Sequence, residues 1–424
     1  MTKDFSYRYF PPVRGKMGTL YTSRFLFLDI ITYVFFLPVL PFTKYIRSWV
    51  EYFLMKSICA SNEDLLNKKH IFFLDSGTSA LFLALKMALE NTQKNVYFNP
   101  NTCGAVADSV ICAGGIPVFL ETSDEGLTDL DSLYQYLEND AGALLLTNTY
   151  GFFDDWKKAK QITESQSLPN INDLSQVNIC SDEFLSALSA SEISVLSFGP
   201  EKYIAGISGG ALIVDRKYLE KNQDAEEFLR NITRMSSDKI FPKLMKRLKY
   251  VLTFQTVGTF FYQMLLRLRL ATGLIDTKDP ENYVMQNNIH PSRIHLSQTI
   301  AVLFRMIYYR WMGKKEQTKY TFLTQQIEEA CTIINKSSRV APPHMILRVE
   351  AQKRHAIAEF LAKNEFQTTW NYIPLFILKP FRCYSFTPNE RGFWQEVIQI
   401  PYRFLSKKQL KRLSSILIYA NKIT

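Results

Sequence analysis

The chain has 424 residues, 47% of them hydrophobic and 21% charged, so a large core is available and wholesale disorder is excluded. Its net charge of +10 is concentrated in two places: residues 1–60 carry eight cations against three anions, and residues 241–275 carry six cations and no anion. The rest is close to neutral, which excludes a generally basic nucleic-acid binder. Six cysteines lie at positions 59, 103, 112, 180, 331 and 383 without any Cys-x-x-Cys pair, the usage of a reduced, cytosolic chain. The five histidines show no ligand spacing either. No protein-bound metal is expected.

Phe25–Phe42 is an apolar stretch whose only charge is Asp29, and Pro38 and Pro41 interrupt it. It lies too deep for a simple signal peptide and is barely long enough to span a bilayer. From about residue 70 the texture changes. Apolar runs at Ile71–Leu74, Val96–Phe98, Pro117–Leu120, Ala143–Thr147 and Asn170–Asn172 alternate with helical patterns at Ser79–Glu90 and near 104–113, 129–139 and 155–165. Val195–Phe198 and Ala211–Val214 close the series. Strands alternating with helices predict a mostly parallel sheet whose ligands sit in the loops after the strands. After Val214 the pattern is helical to about residue 330, and 340–424 reads as a smaller α+β unit with strands Met345–Val349 and Val397–Ile400.

Three loops carry chemistry. Asp75-Ser76-Gly77-Thr78 lies between a strand and a helix, where free backbone N–H groups and a hydroxyl suit a phosphate; an ordinary N-cap by Ser76 or Thr78 competes with that reading. Asp173, in Asn172-Asp173-Leu174-Ser175-Gln176, closes a strand either as a helix cap or as a carboxylate that keeps a heterocyclic nitrogen protonated. Lys202 lies in Ser197-Phe198-Gly199-Pro200-Glu201-Lys202, ahead of Gly206 and Gly209-Gly210, either as a surface residue or as a nucleophilic amine.

Together and in this order the loops resemble the DegT/DnrJ/EryC1/StrS family of sugar aminotransferases, which depend on pyridoxal phosphate. The matching pieces include SGTSALFLAL at 76–85, NPNTCGAVADSVICAGGIPVFLE at 99–121, TNTYG at 147–151, INDLSQ at 171–176 and SFGPEKYIAGISGGALIV at 197–214. The resemblance implies an α/β protein with the type I fold of pyridoxal-phosphate-dependent transferases: a large domain with a mostly parallel sheet flanked by helices, and a smaller C-terminal α+β domain. It implies pyridoxal 5′-phosphate as cofactor, with Lys202 the amine that binds it and Asp173 the partner of its ring nitrogen. Gln176 falls beside the ring's phenolic oxygen; Gly77, Thr78 and Ser197 fall at the phosphate; Thr102 and Cys103 line the ring. The family usually has an aromatic residue near position 104, where this chain has Gly104, and an acid before Gly-Gly, where it has Ser208.

The expected function is transfer of an amino group, by the family's habit from glutamate, to a keto-sugar nucleotide in polysaccharide or amino-sugar biosynthesis, by a homodimer in the cytoplasm. A catalytically inactive, membrane-associated relative and another pyridoxal-phosphate reaction on a sugar are the alternatives. Lys202 speaks against the first, and against sugar dehydration, where family members carry histidine instead. The expected division is an apolar and basic extension over 1–60, a cofactor-binding domain over 61–285 with a basic helical insertion at 241–275, and a small domain over 286–424. Arg24, Lys44 and Arg47 flanking the apolar 25–42, and six cations interleaved with large apolar residues in 241–275, predict a peripheral contact with the inner face of a membrane. Burial of both segments in a dimer core or against each other, and a single-pass membrane anchor, are the competing expectations.

Overall fold

The computed structural model describes residues 26–36, 43–89, 94–137, 140–199, 202–232, 240–245, 248, 283–334, 336, 340–364, 366, 368, 372–384, 392–400, 402, 403 and 405–423. Among these, seven strands form one sheet: β1 (Lys69–Leu74), β2 (Asn95–Phe98), β3 (Ile116–Phe119), β4 (Ala141–Leu146), β5 (Asn170–Asp173), β6 (Ile193–Ser197) and β7 (Gly210–Asp215), in the order β1-β7-β6-β5-β4-β2-β3. The ladders from β3 to β6 are parallel, and β7 runs antiparallel between β6 and β1. This is the mostly parallel α/β sheet that the alternating pattern predicts.

Covered on both faces, the strands need apolar residues on both sides, hence the continuous runs of β4 and β7. Side chains alternate between two cores. Phe72, Leu74, Leu212 and Val214 face the helices α4 (Gly77–Leu89) and α5 (Gly104–Cys112). Ile71, Phe73, Ala211 and Ile213 face α2 (Thr43–Ile58), α3 (Glu63–Lys68) and α8 (Asp182–Ala190). Helix α8 falls between two predicted strands in a stretch that periodicity leaves blank. Ser181 starts it by accepting a hydrogen bond from the Phe184 N–H at 3.1 Å, and Phe184, Ala187 and Leu188 bury its inner face. The remaining crossovers are α6 (Leu130–Tyr136) and α7 (Trp156–Ser165); α9 (Arg216–Lys221) and α10 (Gln223–Asn231) follow β7.

The helical pattern expected between Val214 and residue 330 breaks at 283–294, which is non-helical and lies across the end of β1. Asp75 N–H donates to Ser292 O at 2.9 Å and Ile294 N–H to Phe73 O at 3.2 Å, so this segment takes its backbone partners from the sheet's edge. Pro291 has no N–H to give a helix and disfavours helical backbone in the residue before it. The 32-residue helix α11 (Leu296–Ile327) then leaves the first sheet. Its early turns bury Val302, Met306 and Tyr309 beneath that sheet, while its late turns bury Tyr320, Leu323 and Ile327 in a separate core. That core is closed by the antiparallel sheet β10-β9-β8, made of β8 (Thr332–Ile333), β9 (Met345–Arg348) and β10 (Val397–Ile400), with α12 (Arg354–Lys363) and α13 (Lys407–Ile423).

Of the apolar stretch at 25–42, residues 26–36 form helix α1 (Leu26–Phe36), and 37–42 lie outside the described residues. Asp29 forms an ion pair with Arg305 of α11 in which both side chains are 0% exposed. Tyr33 of α1 packs on Ile207, Ile240 and Leu244. This part of the stretch therefore rests on protein through its one charge. Of 241–275, only 241–245 and 248 are described. No described helix is long and apolar enough to cross a membrane.

Removing one partner of a fully buried ion pair strands the other charge. Arg305→Met should cost on the order of 3–5 kcal/mol of stability, and the double change Asp29→Asn with Arg305→Met should recover most of it. Urea unfolding monitored by circular dichroism measures both, and a cost below about 1 kcal/mol for Arg305→Met would show that α1 does not depend on the pair.

Candidate active site

The ends of β1, β6 and β7 meet without room for side chains. A Cβ on Gly77 would lie 2.6 Å from Ser197 Cβ and 2.8 Å from its Oγ, and a Cβ on Gly210 would lie 2.5 Å from the backbone of Ser76. Gly77 and Gly210 are glycines because backbone meets backbone here. The result joins Gly77, Thr78 and Ser197 in one place, at the first turn of α4. The amide N–H groups of that turn have no helical acceptor, the ordinary condition of a helix start and a favourable one for an anion. Of the two capping candidates it is Ser76 that caps: its Oγ accepts from Ser79 N–H at 3.1 Å and donates to Ser79 Oγ at 2.9 Å. That leaves Thr78 outside the cap.

Lys202 sits on the loop closing β6. Its N–H donates to Gly199 O at 3.1 Å, Gly206 N–H donates to Phe198 O at 2.8 Å, and Phe198 N–H donates to Gly209 O at 2.8 Å, so the described residues of the loop are tied to one another through their backbone. Gly206 has no space for a side chain, since its Cβ would lie 2.5 Å from Phe198 O. Gly209 stands at φ +122°, which a side chain would strain.

Asp173 ends β5, buried and 8% exposed. Its Oδ1 accepts the Ser175 N–H at 3.0 Å. Burial pushes its carboxyl above the usual carboxylate range, opposed by the Ser175 hydrogen bond and by the charge of Lys202. The last cause means that the amine and the acid share a field. A buried carboxylate with a raised pKa is suited to a cationic partner on the ligand side.

The loop after β4 holds Asp173 from behind. Asn148 Nδ2 donates to Asp173 O at 3.0 Å and to Asn172 Oδ1 at 2.6 Å. Asn148 and Tyr150 take positive φ values of 46° and 62°, strained for residues with side chains. Asp154 stabilises that turn, its carboxylate accepting the N–H groups of Thr128 at 2.8 Å, Thr147 at 3.1 Å and Asn148 at 2.9 Å. Thr149 Oγ1 donates to Asn101 O at 3.1 Å and Asn101 Nδ2 to the Tyr150 hydroxyl at 3.3 Å, which ties the loop after β2 to the same centre. That loop ends in Thr102, buried, and Cys103, exposed at the start of α5. Gln176 is half-buried, with its carbonyl against Gly151.

The eight candidate residues thus lie on the loops after β1, β2, β5 and β6, at one edge of the sheet. Asp154 escapes sequence reasoning because its role lies in three amides from two loops. Two further departures have structural counterparts. Where the Gly104 side chain would be stands the Tyr283 ring, whose hydroxyl donates to Asp108 at 2.9 Å. Lys243 Nζ donates to Ser208 Oγ at 3.0 Å, so a cation approaches the position where the resemblance expects an acid.

The sheet order, with the antiparallel strand beside β1, is shared with solved aminotransferases of the pyridoxal-phosphate-dependent fold. NtdA of Bacillus subtilis, solved with bound cofactor PMP, superposes with a TM-score of 0.66 at 17% identity over 99% of this chain and 89% of that one. PseC of Helicobacter pylori, an aminotransferase involved in the biosynthesis of pseudoaminic acid, gives 0.65 at 14% identity over 99% and 100%. Residues 58–241 match the model of the DegT/DnrJ/EryC1/StrS aminotransferase family. Among relatives, the UDP-4-amino-4,6-dideoxy-N-acetyl-beta-L-altrosamine transaminase of Campylobacter jejuni (serotype O:2) is 30% identical over 166 residues, which are 37% of this chain and 42% of that protein. The 3-oxo-glucose-6-phosphate:glutamate aminotransferase of Bacillus subtilis is 26% identical over 37% of this chain and 35% of that protein. The chain therefore spans less than half the length of the curated relatives it matches.

Asp173→Asn keeps an oxygen for the Ser175 N–H and removes a buried charge. A carboxyl whose folded pKa lies above its unfolded value of 3.8 favours the fold while protonated and penalises it once ionised, so stability falls as pH rises through the folded pKa. The cofactor-free variant should melt above the wild type at neutral pH, and the gap should close as the pH is lowered toward 3.8. A variant that melts lower at neutral pH would show that the carboxylate is stabilised in place.

Proposed function

We propose that this chain is a pyridoxal-phosphate-dependent aminotransferase that moves an amino group from an amino acid, glutamate by the resemblance, to a keto-sugar nucleotide. What carries the proposal is the placement of Lys202, the buried Asp173 and the Gly77–Ser197 contact on neighbouring loops of one sheet edge. The residues fit the cofactor: amides at the start of α4 for a phosphate, an amine for an aldehyde, and a buried acid for a ring nitrogen. Bound there, pyridoxal phosphate supplies a carbonyl that condenses with amines and a ring that accepts the electron pair left when Cα loses its proton.

The chain's own residues do the rest. Asp173 holds a proton at the ring nitrogen, its raised pKa offset once that cation faces it. Lys202, free once the amino donor has taken its place, would move a proton from the donor's Cα to the former aldehyde carbon on the other side of the donor nitrogen. Gly77, Thr78 and Ser197 bind and orient the phosphate, Thr102 and Cys103 border the ring, and Gln176 stands by its phenolic oxygen. The division at about residues 61–285 and 286–424 belongs to the same proposal, as do a homodimer in the cytoplasm and a peripheral membrane contact. The contact draws support from an aromatic face of α2 that leaves Tyr45, Trp49 and Tyr52 79%, 64% and 50% exposed.

Purified protein with pyridoxal phosphate should show a visible band that shifts on adding glutamate. Lys202→Ala should abolish covalent capture of the cofactor after borohydride while leaving the circular dichroism unchanged, and a variant that still captures it would make Lys202 the wrong amine. A wild type that takes up cofactor but never shifts with any donor would favour the inactive relative. Light scattering should give a dimer, and sedimentation with anionic vesicles should carry the protein down in a salt-sensitive way. An active monomer, or protein that stays in the supernatant, would remove the corresponding part of the proposal.

A further inference from the structure

Beneath the lysine loop lies a buried charged cluster that the chemistry above does not use. Tyr203 follows Lys202 directly and is 1% exposed. The guanidinium of Arg403, from the segment after β10, stacks with its carbon 4.0 Å from the Tyr203 ring centroid and 4.9 Å from that of Tyr309 in α11. Arg403 Nη1 donates to the Tyr203 backbone carbonyl at 3.3 Å, and Nη2 donates to Glu316 Oε1 of α11 at 3.1 Å. The Tyr203 hydroxyl closes the ring of contacts by donating to Glu316 Oε2 at 2.8 Å. Arg403 and Glu316 are each 5% exposed in their side chains.

We propose that Arg403 is a positioning residue for the Lys202 amine, holding Tyr203 by its ring and its carbonyl so that the lysine's backbone is fixed. The proposal rests on the aminotransferase reading above. The Lys202 N–H is bonded to Gly199 O, and the next residue is clamped by Arg403 and Glu316. Lys202 is therefore anchored on both sides, and its amine is placed by its own side chain alone. The clamp draws on three separate parts of the chain: the loop after β6, the middle of α11 and the segment after β10. Only a planar, forked cation can lie flat on a ring, reach a carbonyl and pair with a carboxylate at once. A lysine would keep the charge and lose the face.

The test separates the amine from the phosphate cradle. Pyridoxamine phosphate has no aldehyde, so its binding reports the cradle; pyridoxal phosphate condenses with the Lys202 amine, losing one water, and borohydride then adds hydride to the C=N bond with a proton from solvent. Arg403→Lys should slow borohydride-trapped incorporation at Lys202, mapped by peptide mass, about tenfold, the size expected from losing charge-assisted hydrogen bonds. Its affinity for pyridoxamine phosphate should stay within about twofold of the wild type. Should Arg403→Lys not fold, Tyr203→Phe, which keeps the stacked ring and removes the hydroxyl bond to Glu316, should show the same split with a smaller slowing. An unchanged trapping rate would overturn the proposal, and so would a parallel loss of both measurements, the mark of a merely structural role. A wild type that takes neither compound would fail at the aminotransferase reading itself, and the role of Arg403 would fall with it.

Discussion

A carboxylate kept out of water is the constraint around which this structure is arranged. Asp173 ends its strand in a place where ionisation is penalised, and the opposing influences come from the Ser175 side chain, the field of a lysine on the next loop and the Ser175 N–H. Such a group is costly in an empty site and favourable against a cationic ring nitrogen, so its burial makes sense for a protein that binds a heterocycle. The surrounding loops follow from holding it still. Asn148 binds its carbonyl in a strained left-handed conformation, and Asp154 stabilises that conformation with three amide hydrogen bonds. Strain at the site is offset by hydrogen bonds one layer farther out.

The second constraint is close backbone approach. Gly77, Gly206, Gly209 and Gly210 stand where β1, β6, β7 and the lysine loop cross within a few ångströms, and each excludes a side chain by contact or by φ. An antiparallel β7 between β1 and β6 makes this possible, because its start then lies beside their ends. The sheet order and the close approach of Gly77 to Ser197 are therefore one feature viewed at two scales.

Much of this was legible in the sequence, for identifiable reasons. Continuous apolar runs between helical periods located the strands to within a residue or two, because the sheet is covered on both faces and its strands cannot be mistaken for amphipathic ones. The site loops were legible because glycine, acid and lysine follow strand ends in order. Helix α8 was passed over, being short and started by a single serine. The segment 283–294 read as helical because nothing local reveals that its partners are the backbone of β1. Arg403 and Glu316 are 87 residues apart, and no pattern within a window connects them. Long-range polar contacts are the part of a fold that periodicity does not encode.

The parts of the chain most its own converge on the lysine loop. Helix α1 lays Tyr33 on Ile207, residues 240–244 pack beside it, Lys243 reaches Ser208, and Arg403 holds Tyr203 from below. At Gly104 the missing side chain is replaced by the ring of Tyr283, brought by the segment that crosses β1. The residues that the resemblance assigns to the cofactor lie on these loops, while side chains packed beside them come from the N-terminal extension, from residues 240–244 and from the region after β10. Chemistry fixes the geometry at the amine and the acid within tenths of an ångström, but a wall needs only to fill space and carry the right charge. At Ser208, where the resemblance expects an acid, the Lys243 amine donates to the hydroxyl, so the wall beside the lysine loop carries a cation.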